Sequence, residues 1–133
     1  MKKDFKKYYT LHASPEEVYL ALTNPLSIHL WSGEEAKMST EPGSEFSLWD
    51  DSIVGRNLEF EPGKKIVQQW YFGEENEDSI VTIKLHEHRK GTSMEVRQSN
   101  IPEEFYEDIT TGWDDTYVAS LDEFFGEGSD SED

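Results

Sequence analysis

The 133-residue chain has a mass of 15.4 kDa, with 35% hydrophobic and 13% aromatic residues. This length is typical of one domain, and the aromatic content is too high for an intrinsically disordered chain. The absence of cysteine excludes disulfide frameworks, thiolate metal sites and cysteine nucleophiles. No apolar run is long enough to span a membrane and no secretory signal is visible, so we expect a cytoplasmic protein.

The charge is distributed unevenly along the sequence. Twelve lysines and arginines stand against 29 aspartates and glutamates, a formal net charge of -17. Residues 98–133 hold twelve acids and no base, whereas residues 1–97 hold 17 acids and twelve bases. Such a field repels phosphate backbones and anionic headgroups, so we expect neither nucleic acid nor membrane as a partner. The acids either keep the protein soluble or face a basic protein surface.

The N-terminal part of the sequence predicts a strand followed by two short helices. Residues 4–11 alternate as a strand, and Ser14 and Glu17 form a capping box at the start of a helix. The helix should end at Asn24, because a residue that precedes proline is disfavoured in the α conformation. A second short helical turn is expected over residues 26–31.

The middle of the sequence predicts a run of antiparallel hairpins. The expected strands cover residues 45–50, 53–61, 65–72, 80–86 and 93–99. Two Pro-Gly pairs, at residues 42–43 and 62–63, predict tight turns. In the first two of these strands, alternation places four apolar residues on matching faces: Phe46, Leu48, Leu58 and Phe60.

The last predicted element is a long amphipathic helix over residues 102–125. On a 3.6-residue period, its apolar face holds Phe105, Ile109, Trp113, Thr116, Ser120 and Phe124, widened by Tyr106, Tyr117 and Leu121. Residues 126–133 have no apolar side chain to bury, so we expect a disordered acidic tail after a domain spanning residues 1–125. This order of elements defines the α+β class, with a cleft between sheet and helix that suits apolar ligands.

Several segments, taken in order, resemble one family. They cover residues 14–23, 30–33, 46–50, 53–56, 61–70, 91–92 and 112–113, ahead of Leu121. The ordered set is similar to the activator of heat shock protein 90 ATPase homologue family, of the C-terminal-domain type. That family belongs to the START-like, helix-grip (SRPBCC) superfamily.

The resemblance implies both a fold and two kinds of activity. The fold is a helix grip, in which a curved antiparallel sheet of six to seven strands wraps around a long C-terminal helix, with two short helices after the first strand. The activity is either stimulation of the chaperone's ATPase or binding of a small hydrophobic molecule. Eukaryotic activators carry a further N-terminal domain that contributes to chaperone binding, and we expect no such domain within these 133 residues.

Aromatic and inward polar residues under the closing helix form the candidate ligand-binding set. Its members are Trp31, Met38, Phe46, Leu48, Gln68, Trp70, Phe72, Met94, Gln98, Trp113 and Tyr117. Gln68 and Gln98 fall in phase with inward apolar positions, and a buried amide without a partner costs about 1–3 kcal/mol. Two inward glutamines therefore predict a hydrogen-bonded network, water or a ligand. The alternative is that the aromatic side chains simply fill the core.

Catalytic and metal-binding patterns are weak in the sequence. His86 and His88 alternate on one strand, but no third ligand has a suitable spacing, so we expect a solvated strand end and no metal or cofactor. No serine lies in a nucleophile elbow, and adjacent carboxylates do not converge on one site. We nominate no catalytic residue. Two functions are favoured: a module that binds a small hydrophobic molecule, and a co-chaperone-like module whose acidic face meets a chaperone or another basic protein surface. A third reading, implied by the START-like resemblance, is an enzyme of the cyclase or dehydratase kind, which needs a titratable group inside the cleft.

Overall fold

The computed structural model of the protein describes residues 2–49, 53–71 and 79–125. Within them, six strands form one antiparallel sheet in the order β1-β6-β5-β4-β3-β2. The strands are β1 (Lys2–Leu11), β2 (Glu45–Leu48), β3 (Ile53–Glu61), β4 (Lys65–Trp70), β5 (Ser79–His88) and β6 (Gly91–Pro102). The α+β class and the curved sheet that packs against a C-terminal helix are confirmed. The expected tail, residues 126–133, lies outside the described residues.

Two short helices, α1 (Pro15–Thr23) and α2 (Pro25–Ser32), follow β1 and are joined by Asn24. The backbone N–H of Glu17 donates to the Ser14 hydroxyl at 3.2 Å, and the Ser14 N–H donates to the Glu17 carboxylate at 3.0 Å. This is the predicted capping box. The Asn24 side chain accepts from the first amides of α2, so one residue ends the first helix and begins the second.

An irregularity in β3 changes which residues face the core. The register with β4 shifts between Asn57 and Glu59, which makes Leu58 the extra residue of a β-bulge. Leu58 is 36% exposed, so its predicted place on the inward face was wrong. Asn57 takes an inward position instead and is fully buried. Phe46 and Leu48 are buried as predicted.

The C-terminal helix consists of four segments with different winding. They are a 3-10 turn (Glu103–Phe105), α3 (Tyr106–Gly112), a π-helical turn (Trp113–Tyr117) and α4 (Val118–Phe125). In the π-helical turn, the Val118 N–H donates to the Trp113 carbonyl, five residues earlier. This bond adds one residue to the turn, and one residue corresponds to a rotation of about 100° around the helix axis.

The π-helical turn moves the buried face of the helix away from its predicted position. The side chains buried against the sheet are Trp113, Tyr117, Val118 and Leu121. Thr116 and Phe124 are exposed, so their predicted place on the buried face was wrong, because the added residue rotates every later position. Phe105 is 37% exposed, since it lies in the 3-10 turn, whose period differs from that of the helix that follows.

The hydrophobic core lies between the sheet and the helices. It includes Leu11 of β1, Val18 and Leu22 of α1, Ile28 of α2, Ile83 of β5 and Met94 of β6. Gly55 of β3 permits close packing there, because any side chain at this position would collide with the Gln69 carbonyl and the Phe46 ring. Among the described residues, no helix is long and apolar enough to cross a membrane.

Candidate functional site

The space beneath the C-terminal helix holds all four tryptophans of the chain in one cluster around Tyr117. The Tyr117 ring centroid lies 4.5 Å from Trp113, 5.3 Å from Trp31 and 5.4 Å from Trp49. Trp113 also stacks on Trp70, with centroids 5.2 Å apart and 18° between the planes. These separations are those of rings in direct contact. The aromatic side chains therefore fill much of the space that they line.

Trp49 occupies a strained position at the end of β2. Its φ of 50° lies in the left-handed region, which is rare for a bulky residue. The indole packs edge-on against Trp31, at 5.4 Å between centroids and 77° between planes. Contacts with Trp31 and Tyr117 hold the backbone in this conformation, because strain of this kind persists where the surroundings over-determine it.

The two predicted inward glutamines are buried, at 2% exposure for Gln68 and 1% for Gln98. The indole N–H of Trp70 donates to Gln68 Oε1 at 3.0 Å, and Gln68 Nε2 donates to Asn57 Oδ1 at 3.1 Å. The buried Asn57 amide then donates to the Ser39 carbonyl at 3.1 Å. Of the three predicted partners for the glutamines, a network within the protein is the one found here.

Gln98 repeats this arrangement on the neighbouring part of the sheet. The indole N–H of Trp113 donates to Gln98 Oε1 at 2.9 Å, and Gln98 Nε2 donates to the Ser79 hydroxyl at 3.1 Å. The Ser79 hydroxyl donates in turn to the Ser99 carbonyl at 2.8 Å. Each glutamine thus links a tryptophan of the cluster to a polar group of the sheet. Sequence patterns placed the glutamines inward but gave no sign of Asn57 and Ser79, which lie at irregular or terminal strand positions.

The Tyr117 hydroxyl and the Trp49 indole N–H are the polar groups of the aromatic cluster that form no hydrogen bond with a described residue. The Tyr117 side chain is 4% exposed, and burial raises the pKa of the phenol well above its usual range. The hydroxyl therefore stays protonated at neutral pH. It is able to donate to a further group near the cluster.

The structure brings together nearly all residues of the candidate ligand-binding set. The buried members are Trp31, Phe46, Leu48, Gln68, Trp70, Met94, Gln98, Trp113 and Tyr117. Met38 is half-buried, and its sulfur lies 3.5 Å from the Asn57 side-chain nitrogen. Phe72 lies outside the described residues. The structure shows that most residues of this set are buried. The role of the set in binding a ligand stays a prediction.

The two histidines at the end of β5 each contact a neighbouring polar group. His86 Nε2 lies 3.0 Å from Glu95 Oε1, and Arg97 Nε donates to Glu95 Oε2 at 2.6 Å. The hydrogen bond with His86, followed by that with Arg97, lowers the pKa of the Glu95 carboxyl. His88 Nδ1 accepts from the Lys90 backbone N–H at 3.1 Å. In the described part of the chain, no group of three or more histidine and carboxylate side chains is placed to hold a metal.

The outer side of the C-terminal helix is a surface of carboxylates. We call it the acidic helix surface and define it as Glu104, Glu107, Asp108, Asp115, Asp122 and Glu123, all of which are exposed. Asp122 lies 4.0 Å from His12 Nδ1. The other five form no ion pair with a described residue. This surface is therefore open to a partner with positive charge.

One further carboxylate, Asp114, ties the helix to β1. Its Oδ1 accepts from the Tyr9 hydroxyl at 2.7 Å and from Lys7 Nζ at 2.9 Å. These bonds, that of Tyr9 first, lower the pKa of the Asp114 carboxyl, while burial and the same contact raise the pKa of Tyr9. Asp114 is thus a structural contact, unlike its neighbour Asp115.

Comparisons with known proteins identify related sequences and structures. A family model described as "Activator of Hsp90 ATPase homolog 1-like protein" matches residues 12–126. The chain is 31% identical over 114 residues to an activator of 90 kDa heat shock protein ATPase homolog from Dictyostelium discoideum. It is 29% identical over 124 residues to the human activator homolog 1. These matches cover 84% and 90% of the chain but 30% and 36% of the relatives, so the chain spans about a third of their length.

A solved structure shares the fold and a quarter of the sequence. The crystal structure of an HSP90 activator from Plasmodium falciparum superposes with a TM-score of 0.76 and 25% identity. The match covers 91% of this chain and 93% of that one. A protein from Mesorhizobium loti superposes equally well, with a TM-score of 0.78 over 91% of this chain, at 21% identity.

Proposed function

The chain belongs to the activator of Hsp90 ATPase homolog 1-like family, and on that premise we propose that it is a protein-interaction module that modulates a chaperone ATPase. The acidic helix surface is the part that contacts the chaperone. Its partner is a basic surface, because five of its six carboxylates have no ion pair among the described residues.

A difference between the polar groups inside the cleft and those on the outside of the helix supports this proposal. Inside the cleft, Gln68 and Gln98 have hydrogen-bond partners within the protein. On the outside of the helix, carboxylates lie at intervals of three, four and seven residues with no base after Arg97 in the sequence. Charge at that density steers a basic partner towards the helix at low ionic strength. The names of the relatives supply the class of partner, a heat shock protein 90 chaperone.

The test is the ATPase rate of a heat shock protein 90 chaperone with increasing amounts of this protein. We expect a change in rate that is largest at low salt and shrinks as salt screens the charges. A variant that neutralises the surface carries Glu104→Gln, Glu107→Gln, Asp108→Asn and Asp115→Asn, and it should lose most of the effect. No change in ATPase rate with wild-type protein at low salt would contradict the proposal.

A matched variant separates the surface from net charge. Glu34→Gln, Glu35→Gln, Glu41→Gln and Glu45→Gln remove the same number of charges from exposed positions outside the helix. This variant should modulate the ATPase as the wild type does. Equal loss of effect in both variants would show that overall charge is responsible, and the acidic helix surface would then have no special role.

The second candidate function is binding of a small hydrophobic molecule beneath the C-terminal helix. The Tyr117 hydroxyl favours it, since this group forms no hydrogen bond with a described residue and is suited to donate to a ligand. The expected contacts are the set predicted from the sequence, in which the rings of Trp31 and Trp113 both contact Tyr117.

Native mass spectrometry of gently purified protein tests this second function. Retained ligand would appear as extra mass above 15.4 kDa that leaves on denaturation. Tyr117→Phe should reduce the retained fraction while it leaves the ring contacts in place. Bare protein in both samples would count against the ligand and leave the chaperone proposal unaffected.

A further inference from the structure

One edge of the sheet is long and open. β1 lies at the end of the strand order and pairs with β6 alone among the six strands. Besides β6, no described backbone group hydrogen-bonds to the backbone of β1 between Lys6 and Thr10. The side chains of Lys6, Lys7, Tyr8 and Thr10 are exposed. An edge of this kind presents a row of N–H and C=O groups to another strand.

The opposite edge of the sheet is protected. β2 has four residues, and its outer side already pairs with the segment around Lys37. The Lys37 N–H donates to the Ser47 carbonyl at 2.8 Å, and the Ser47 N–H donates to the Lys37 carbonyl at 3.0 Å. The two edges therefore differ in length and in occupancy. β1, with ten residues, is the edge with room for a further strand.

The open edge has the opposite charge to the rest of the molecule. One six-residue stretch of β1 contains four of the twelve bases of the chain: Lys2, Lys3, Lys6 and Lys7. Asp4 is the one acid among them, and its carboxylate accepts from the Asn100 backbone N–H at 3.1 Å. A local excess of positive charge thus lies along the backbone groups of the edge, in a chain of net charge -17.

The pattern of side chains along β1 specifies what fits beside it. A lysine pair at residues 6–7 precedes a tyrosine pair at residues 8–9. Because neighbouring residues of a strand point to opposite faces, each pair places one side chain on each face of the sheet. An incoming strand meets the Lys6 ammonium on one face and, on the other, the Lys7 ammonium, which also contacts Asp114. The tyrosine pair that follows places one aromatic ring on each face. Acidic and apolar residue pairs complement this pattern.

We propose that the open edge of β1 binds an extended acidic segment of a partner protein by strand addition. Backbone hydrogen bonds with β1 give the affinity, and carboxylates opposite the lysines give the specificity. A second copy of this chain fits poorly as the occupant, since pairing β1 with β1 brings lysines close to lysines. This surface is separate from the acidic helix surface, and it selects a partner of opposite charge.

The test uses a synthetic peptide and amide chemical shifts of the ¹⁵N-labelled full chain. The probe is the acetylated and amidated octapeptide Val-Val-Glu-Glu-Val-Val-Glu-Glu, which pairs antiparallel with residues 2–9 of β1. We expect saturable shift changes at Lys6, Lys7 and Tyr8, with slower hydrogen exchange of the β1 amides that face outwards. Absence of these changes at millimolar peptide would overturn the proposal.

Two control peptides separate strand addition from simple charge attraction. The first replaces glutamate with lysine, and it should not bind. The second keeps the glutamates but carries N-methyl groups on alternate backbone nitrogens, which removes donors to the edge. Binding of the N-methylated peptide as strong as that of the parent would contradict strand addition. Slow hydrogen exchange of the outward-facing β1 amides in the protein without peptide would also contradict the proposal, because it would indicate that a second copy occupies the edge.

A pair of variants tests the role of the lysines. The double variant Lys3→Glu with Lys6→Glu should weaken the binding of the peptide about threefold to tenfold, as expected for the loss of two exposed ion pairs. Lys37→Glu with Lys64→Glu makes the same change of charge at exposed positions away from this edge and should bind as the wild type does. Equal weakening by both pairs would overturn the assignment of the site to β1.

Discussion

The inner and outer sides of the C-terminal helix satisfy their polar groups in different ways. On the inner side, the Trp113 indole donates to Gln98, which in turn donates to Ser79. On the outer side, Asp115 and four other carboxylates of the acidic helix surface have no ion pair with a described residue. The difference teaches that the polar groups of the cleft serve the architecture of this protein. The open carboxylates lie outside, whereas inside the cleft both glutamine amides are paired and the Tyr117 hydroxyl has no hydrogen bond with a described residue.

The largest effect is expected from truncation inside the cleft. Trp113→Ala removes ring contacts with Trp70 and Tyr117 and leaves a cavity, so the free energy of unfolding should fall by about 3–5 kcal/mol. Denaturant unfolding measures this change. Thr116→Ala, at an exposed position of the same helix, should change it by less than about 0.5 kcal/mol. Similar small losses in both variants would show that the cluster is loosely packed.

The next effect concerns the hydrogen bonds of the cleft. Gln98→Leu leaves the Trp113 indole N–H without its partner, and we expect a loss of about 1–3 kcal/mol in the free energy of unfolding. In a Trp113→Phe background, Gln98→Leu should lower the free energy of unfolding by less, since the unpaired N–H is then absent. Additive losses in this double-mutant cycle would mean that the bond contributes little.

A smaller effect is expected from Glu95 as pH changes. Its pKa is lowered in the folded protein, chiefly by the hydrogen bond with His86, so the stabilisation is complete above the unfolded pKa of about 4.3. It is lost as pH falls through the lower pKa of the folded state. The unfolding free energy of the wild type should therefore drop more steeply below about pH 4.3 than that of Glu95→Gln. Parallel curves for the two proteins would contradict this assignment.

The smallest effect on stability is expected on the outer side of the helix. Asp115→Asn should change the free energy of unfolding by less than about 0.5 kcal/mol, because the side chain is exposed and unpaired within the described residues. Asp114→Asn should cost more, since it weakens contacts with Tyr9 and Lys7. Equal changes in the free energy of unfolding for these two variants would contradict the distinction between structural and open carboxylates.

Much of this fold follows from local sequence signals. The capping box at Ser14, the break at Asn24 and the turns with positive φ at Gly43 and Gly63 each depend on a few neighbouring residues, and all were predicted. Alternation within single strands also placed Gln68 and Gln98 inward, where they are buried.

The errors arose where one inserted residue changes a regular period. The bulge at Leu58 and the π-helical turn at residues 113–117 each add a residue that no local pattern specifies. Their causes lie in the tertiary structure: Asn57 bonds to the Ser39 carbonyl, and Tyr117 packs against rings from distant segments. Burial of the predicted ligand-binding residues does not distinguish a filled core from a bound molecule, so ligand binding in the cleft stays a prediction.

The most direct test of this account is amide chemical-shift mapping of the labelled protein with an unlabelled heat shock protein 90 chaperone at low salt. The account predicts that signals weaken or shift at the acidic helix surface, with Asp115 and Glu123 among the most affected. Signals of buried cluster residues such as Trp70 should change least. Changes confined to the cleft residues, or none along the helix, would contradict the claim that this protein acts through the outer side of its C-terminal helix.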